Sequence, residues 1–79
     1  MELIAFQFTW PTTGTSSAVT IPVAMSSLNY VVTSDFEDLT GASAILRFPA
    51  AGRTTGAFNV EASGTITSGT KIGFIVNVI

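Results

Sequence analysis

Apolar side chains recur at every second position over most of this chain, and that spacing limits the fold more than any other feature of the sequence. In the first segment four apolar residues would share one side of an extended chain: Ile4, Phe6, Phe8 and Trp10. Gln7 and Thr9 would then fall on the other side. Such alternation is typical of a strand with one buried face. No stretch of useful length has apolar residues at helical spacing, so the sequence predicts an all-β protein.

Proline and glycine-rich stretches divide the alternating pattern into six segments. The predicted strands cover about residues 4–10, 19–23, 30–36, 44–48, 58–62 and 71–79. Pro22 cannot donate a hydrogen bond to a neighbouring strand, so the second strand is expected to lie at a sheet edge or to bend there. Residues 12–17 and 63–70 are expected to be loops. Six short strands with closely spaced turns predict one small antiparallel β-sandwich over residues 1–79.

The composition removes several classes of function. The chain has neither Cys nor His, which excludes the usual zinc sites and the Ser-His-Asp and Cys-His nucleophile systems. Its net charge of −2 does not attract a phosphate backbone. Its longest apolar run is far shorter than the ~20 residues that span a bilayer. We therefore expect a protein that is not an enzyme, needs no metal or cofactor, and neither binds nucleic acid nor inserts into a membrane.

The last predicted strand carries apolar residues on both faces. Four of them would share one face: Ile72, Phe74, Val76 and Val78. Ile75 and Ile79 fall on the other face with Gly73 and Asn77. Apolar residues on both faces are expected where both faces are covered. In a two-layer sandwich one face meets the opposite sheet, and the other must meet a further surface.

That further surface is expected to belong to another subunit. Only 10% of the residues are charged, against about 25% in ordinary soluble domains, and the mean hydropathy is +0.56. Small domains without disulfides or metals often depend on partners for stability. We therefore expect a homo-oligomer with Phe74, Ile75 and Ile79 at the subunit interface. The alternative is a central strand whose outer face is covered by a loop of the same chain.

Five side chains are candidates for binding a ligand. Trp10 and Tyr30 have aromatic faces that would accept the C–H face of a sugar, and Asp35 and Glu37 would accept hydrogen bonds from its hydroxyls. Arg53, in a Gly-containing loop, would pair with an acidic sugar. The alternative for the two aromatic residues is a core or interface position in which the N–H or O–H group finds a partner. The alternative for the charged residues is an ordinary solvated position.

Two further patterns suggest chemistry but do not fit it. Residues 64–71 resemble a phosphate-binding loop, but the Lys and Thr are transposed and a strand pattern follows where a helix is required. The acidic cluster of Asp35, Glu37 and Asp38 lacks the spacing of an EF-hand calcium loop. We expect a hairpin at the first pattern and no metal at the second.

The order of three segments is similar to that of a known group of proteins. Residues 19–33 resemble an apolar strand, a short connection, an Asn-Tyr pair and a β-branched strand. Residues 55–60 are similar to a T-x-x-F-x-V strand, and residues 71–76 to a closing strand that often reads K-I-x-W-x-A. This succession resembles the C-terminal domains of bacteriophage tail fibres and tailspikes, and the H-type lectin sandwich, over roughly residues 4–79. The chain departs from the pattern in having Phe74 where Trp is frequent and in continuing to Ile79.

The resemblance implies a six-stranded sandwich that assembles as a homotrimer. It also implies a non-enzymatic receptor-binding domain that presents its loops to a bacterial surface glycan, located in the virion as part of the phage tail after synthesis in the host cytoplasm. The alternative is a structural trimerisation or capping domain of a fibre or other virion component that binds no sugar. No binding residue is carried over from the family, because such domains vary most in their loops.

Overall fold

Six antiparallel strands form two three-stranded sheets. The computed structural model describes residues 2–36 and 45–79, except for the side chains of Asp35 and Phe36. The strands are β1 (Leu3–Thr9), β2 (Gly14–Thr20), β3 (Tyr30–Phe36), β4 (Leu46–Arg47), β5 (Ala57–Ile66) and β6 (Lys71–Val78). Sheet A has the order β1-β6-β3, and sheet B has the order β2-β5-β4. The prediction of a small six-stranded antiparallel sandwich is confirmed.

β6 is the central strand of sheet A, as β5 is of sheet B. β6 pairs along its length with β1, from Leu3 opposite Asn77 to Thr9 opposite Lys71. It pairs equally with β3, where Asn77 lies opposite Val31. Both edges of β6 are therefore hydrogen-bonded, and its exposure depends only on what covers its two faces.

The alternating pattern brings one face of each sheet into a shared core. The buried apolar residues are Trp10, Val19, Ile21, Met25, Tyr30, Phe58, Val60, Ile66, Ile72, Phe74 and Val76. Phe74 lies at the centre of an aromatic cluster. Its ring centroid is 5.4 Å from that of Phe58 and 6.0 Å from that of Phe48, both on the sheet B side, and 5.8 Å from that of Phe6. Edge-to-face contacts of this kind stabilise a core beyond simple burial.

Two segments expected to be loops belong to strands. Residues 14–17 begin β2, with an irregularity in register between Gly14 and Ser16, and residues 63–66 extend β5. Their small polar side chains favour turns locally, but pairing with a neighbouring strand overrides that preference. The second strand ends at Thr20, before Pro22, and lies at the edge of sheet B as expected.

The two sheets close the core within a single chain. The accessible surface is 4504 Å², close to the ~4,500 Å² expected for a folded monomer of this mass. Chain length alone therefore does not require a partner. An argument for self-association has to come from the outer faces of the sheets.

Candidate functional site

Trp10 lies in the core and is not available to a ligand. Its side chain is 0% exposed and makes an edge-to-face contact with Phe8, with ring centroids 6.2 Å apart. Its backbone N–H donates to Thr70 O and its carbonyl accepts from Gly69 N, both at 2.8 Å. Trp10 directly follows β1 and lies on the same inner side as Phe6 and Phe8. Its two backbone bonds hold it beneath the hairpin turn between β5 and β6. The prediction that Trp10 binds a ligand is wrong. Its ring has the core position of the alternative, but no described residue accepts a hydrogen bond from its buried indole N–H, which the alternative had included.

Tyr30 is also buried, and its hydroxyl group already has partners. The side chain is 3% exposed, and the hydroxyl oxygen lies 2.7 Å from Thr54 O and 3.0 Å from Ala57 O, to which it donates its single hydrogen. Burial raises the pKa of Tyr30, and the positive charge of Arg53 opposes part of that rise. The prediction that Tyr30 offers a sugar-binding face is wrong, because its ring and hydroxyl join sheet A to the loop before β5.

Arg53 is part of the same junction. Its Nη1 donates to Tyr30 O at 2.7 Å, and its guanidinium carbon lies 4.2 Å from the centroid of the Tyr30 ring. Gly52 precedes it with φ of +78°, a backbone conformation that favours glycine. Arg53 is half-buried. Its charge is thus engaged by Tyr30, which leaves the expected pairing with an acidic sugar without support in the geometry.

The two acidic candidates cannot be compared with the structure in the same way. Glu37 lies outside the described residues, and so does Asp38. The backbone of Asp35 pairs with Gly73 in sheet A, but its side chain is not described. Their expected contacts with sugar hydroxyls stay predictions.

The three predicted interface residues fall on opposite faces of β6. Phe74 is 1% exposed and packs inside the protomer, so its expected place at a subunit interface is wrong. Successive side chains of a strand point to opposite faces, and Ile75 therefore lies on the outer side of sheet A, where it is 43% exposed. Ile79 is 84% exposed. The interface role of these two isoleucines stays a prediction.

The outer face of sheet A is largely apolar. Leu3 and Val31 are 55% and 48% exposed, and together with Ile75 and Ile79 they form what we call the aliphatic patch. A shallow depression of about 400 Å³ lies beside Ile75 and is lined by small residues that include Ala5, Thr33 and Gly73. Lys71 and Asp35, the ionisable residues of this face, have register positions towards its other end.

The outer face of sheet B has the opposite character. Glu61 of β5 accepts hydrogen bonds from the guanidinium of Arg47 on β4, and both side chains are well exposed. Asn59 donates through Nδ2 to Ala51 O at 3.0 Å. A depression of about 360 Å³ on this face is lined by polar and small residues that include Ser16, Asn59 and Glu61. One sheet therefore presents an apolar outer surface and the other a polar one.

The described residues show no arrangement typical of a catalytic or metal site. In residues 2–36 and 45–79 no group of three or more His, Cys, Asp or Glu residues lies together. The two described carboxylates already accept hydrogen bonds, Glu61 from Arg47 and Glu2 from the backbone N–H of Ser26 at 2.9 Å. The bond to Ser26 lowers the pKa of Glu2. Nowhere in the described part of the chain is there a helix long and apolar enough to cross a membrane.

Comparisons of the chain with models of protein families, with curated proteins and with solved structures returned no match. The similarity to phage tail fibre domains therefore rests on the three sequence segments alone. A functional conclusion has to be argued from the two outer faces.

Sequence reasoning missed three residues of the outer face of sheet A. Leu3 and Val31 join the aliphatic patch only because β1 and β3 flank β6, a strand order that alternation within a segment does not reveal. Asn77 lies between Ile75 and Ile79 on the outer face of β6. A polar residue between two isoleucines in the last predicted strand was visible in the sequence and could have marked Asn77 as a candidate.

Proposed function

We propose that this chain is a non-enzymatic assembly domain that forms a homotrimer through the outer face of sheet A. The aliphatic patch carries the proposal, because four exposed aliphatic side chains lie together on the outer face of sheet A, and the ionisable residues Lys71 and Asp35 have register positions beyond Ile75. Contiguous apolar surface of this kind on a soluble protein usually marks an interaction site. The resemblance to phage tail fibre domains supports the trimeric state and a place in a virion, where the domain would join or cap a fibre.

The buried aromatic residues favour assembly over sugar recognition. Trp10 and Tyr30 were the side chains expected to stack on a sugar, and both are enclosed in the core. Every other aromatic side chain that the structure describes is buried or half-buried. Among the described residues a sugar-binding surface would therefore have to work with polar and charged groups, without a fully exposed aromatic ring.

The mass of the protein in solution tests the proposal. Light scattering and sedimentation velocity across the micromolar range are expected to give three times the 8.2 kDa of one chain. Ile75→Glu and Ile79→Glu are expected to lower the mass to that of one chain, because each would place a carboxylate in an apolar contact. Thr65→Glu, at an exposed position of β5 in sheet B, is the matched control and should keep the trimer. A wild-type protein that remains a single chain throughout this range contradicts the proposal.

Recognition of a bacterial surface glycan is the second candidate. The polar depression on the outer face of sheet B favours it, since Asn59 and Glu61 lie where hydroxyl groups of a ligand would reach them. A glycan array and adsorption to bacterial cells, measured with the intact assembly, test this function. Binding that is lost in Glu61→Gln and kept in Ile75→Glu would favour recognition. An assembly that binds no glycan and no cell surface would leave the structural role.

A further inference from the structure

β1 is an edge strand whose backbone lacks a partner along one side. Sheet A has the order β1-β6-β3, so β1 pairs with β6 alone. Glu2 O accepts from Val78 N at 2.9 Å, and Trp10 N donates to Thr70 O at 2.8 Å. Because successive residues of an antiparallel strand bond alternately to one side and to the other, four residues direct their N–H and C=O groups away from β6: Leu3, Ala5, Gln7 and Thr9. None of the described residues bonds to these outward-directed backbone groups.

The other edge strands of the two described sheets carry features that discourage pairing. β2 has an irregular register between Gly14 and Ser16, and β4 has only two residues. At the start of β3, Arg53 Nη1 donates to Tyr30 O at 2.7 Å. Irregular register, short length and charged side chains are common means by which edge strands avoid joining other chains. β1 has seven residues in regular register, with neither a charge nor a proline among them, so it is the edge open to a further strand.

The inner row of β1 leaves apolar surface uncovered along the same edge. Ile4, Phe6 and Phe8 point towards the core, yet all three are only half-buried. On the central strand β6, Ile72 and Phe74 are 0% and 1% exposed. A strand added beside β1 would cover the remaining surface only if its own inner residues were apolar and recurred at every second position. The edge therefore fits a partner strand with alternating apolar side chains.

We propose that β1 pairs with the β1 strand of a second copy of this chain, antiparallel and about a twofold axis beside Phe6. β1 itself has the alternating apolar row that the edge needs. Overlap of all seven residues sets the register, with Leu3 of one copy opposite Thr9 of the other. In this register residues with outward-directed backbone groups face one another, as Ala5 faces Gln7, so every such group gains a partner. The contact uses the same surface on both copies.

The side chains agree with this register on both faces of the strand. On the inner face Ile4 of one copy lies beside Phe8 of the other, and the two copies of Phe6 are neighbours at the axis. Cross-strand pairs of aromatic and β-branched residues stabilise antiparallel sheets. On the outer face the small side chain of Ala5 lies opposite the carboxamide of Gln7. Because β1 contains no charged residue, two copies meet along it without repulsion.

This contact goes beyond the proposed function and does not require it. The proposed trimer uses the outer face of sheet A, whereas the pairing uses the edge of that sheet, so one copy can take part in both. The seven residues of β1 extend about 24 Å. A contact along one strand edge falls below the ~1,200 Å² at which stable interfaces begin. We therefore expect β1 to pair at concentrations above the micromolar range and to join assemblies that have already formed.

Amide hydrogen exchange, measured residue by residue by NMR, tests the pairing directly. The wild type and Ile79→Glu, in which the trimer is expected to be lost, are compared from about 10 μM to about 1 mM, a range that includes weak contacts. Where about nine tenths of the copies are paired, the outward-directed N–H groups of β1 should exchange about tenfold more slowly, because they exchange from the unpaired fraction. The N–H groups of β1 that are bonded to β6 should exchange at the same rate throughout.

A pair of proline variants tests the same contact by mass. Ala5→Pro removes one outward-directed N–H group and no bond to β6, and proline is tolerated at such a position of an edge strand. In the Ile79→Glu background it should reduce the mass at about 1 mM from two chains to one. Ala18→Pro is the matched control. Ile21 N donates to Gly56 O, so by alternation Ala18 directs its N–H group to the open side of β2, and its variant should keep the pair.

The outcomes separate this inference from the proposed function. A trimeric wild type whose outward-directed N–H groups exchange at one rate at all concentrations overturns the edge pairing and leaves the assembly domain standing. A wild type of two chains that Ala5→Pro reduces to one supports the pairing and contradicts the trimer. Equal slowing on the open sides of β1 and β2 indicates non-specific association and overturns the pairing. Slowing that appears only when a peptide of alternating valine and threonine is added assigns the edge to a strand of another polypeptide and also overturns it.

Discussion

Replacing Phe74 with leucine tests whether β6 faces the core in the way the structure describes. Phe74 lies with its ring centroid 5.4 to 6.2 Å from those of Phe6, Phe8, Phe48 and Phe58. Truncating a buried Phe to Ala typically costs about 3–5 kcal/mol. Leucine keeps most of the apolar contact but loses the four ring contacts. We therefore expect Phe74→Leu to lower the free energy of unfolding by about 2 kcal/mol.

That loss is large for a protein of this size. In a domain of 60–100 residues, 1 kcal/mol corresponds to a shift in Tm of about 4–8 °C, so the variant should melt about 8–16 °C below the wild type. Trp10 is the one tryptophan of the chain and is fully buried, so its fluorescence reports opening of the core. Because association makes Tm depend on concentration, both proteins should be melted over the same concentration series.

The neighbouring residue provides the control. Ile75 lies on the outer face, and Ile75→Thr keeps a β-branched side chain while making that face more polar. We expect this variant to retain the fluorescence of the folded core and to lower the mass of the assembly. The reverse pattern, in which Phe74→Leu lowers the mass without shifting the melting transition, would show that β6 faces the other way and refute the described packing.

Three further predictions concern single contacts. Tyr30→Phe removes a hydroxyl bonded to a loop carbonyl and should cost about 1–2 kcal/mol at neutral pH, measured by urea unfolding. Tyr30 is the one tyrosine of the chain, and burial raises its pKa above the ordinary value of 10. The hydroxyl therefore ionises at lower pH in the unfolded chain than in the folded one, so the stability of the wild type should fall as the pH rises above 10. The stability of Tyr30→Phe should not show this fall. Gly52→Ala should destabilise the protein more than Gly69→Ala in the same assay. Both glycines have positive φ, but only at Gly52 would the new Cβ come close to another residue, 2.5 Å from Nδ2 of Asn59. Equal losses in the two variants would contradict this reasoning. Arg47→Ala removes an exposed ion pair with Glu61 and should change the unfolding free energy by less than about 1 kcal/mol, so a larger loss would indicate a structural role for the pair.

Alternation along the strands predicted the exposure of some candidate residues and not of others. Ile75 and Ile79 are exposed where alternation along the last strand put them, because in an extended chain the face of a side chain depends only on its position. Alternation also put Trp10 on the buried side of the first strand, but it could not show whether Trp10 and Tyr30, at strand ends, are fully covered. An aromatic residue at the end of a strand is covered or open according to the loops that pass over it, and those loops come from distant parts of the chain.

Contacts between distant segments explain the remaining differences. Arg53 appears in the sequence as a charge in a Gly-containing loop, yet it packs on Tyr30, which lies 23 positions earlier. Residues 14–17 and 63–66 have the small polar side chains of turns, yet β2 and β5 pair through them or extend into them. In each case the energy of pairing or packing with a distant segment exceeds a weak local preference.

The sequence by itself determined the extended conformation of the chain and the inner and outer faces of its strands, because a period of two is set by the geometry of each strand alone. It did so for β3, whose bounds of Tyr30–Phe36 were predicted without error. Only the tertiary structure decided that β6 lies between β1 and β3, and thereby that Leu3 and Val31 surround Asn77. The order of strands depends on which distant segments pack together most favourably, and no pattern within one segment contains that information.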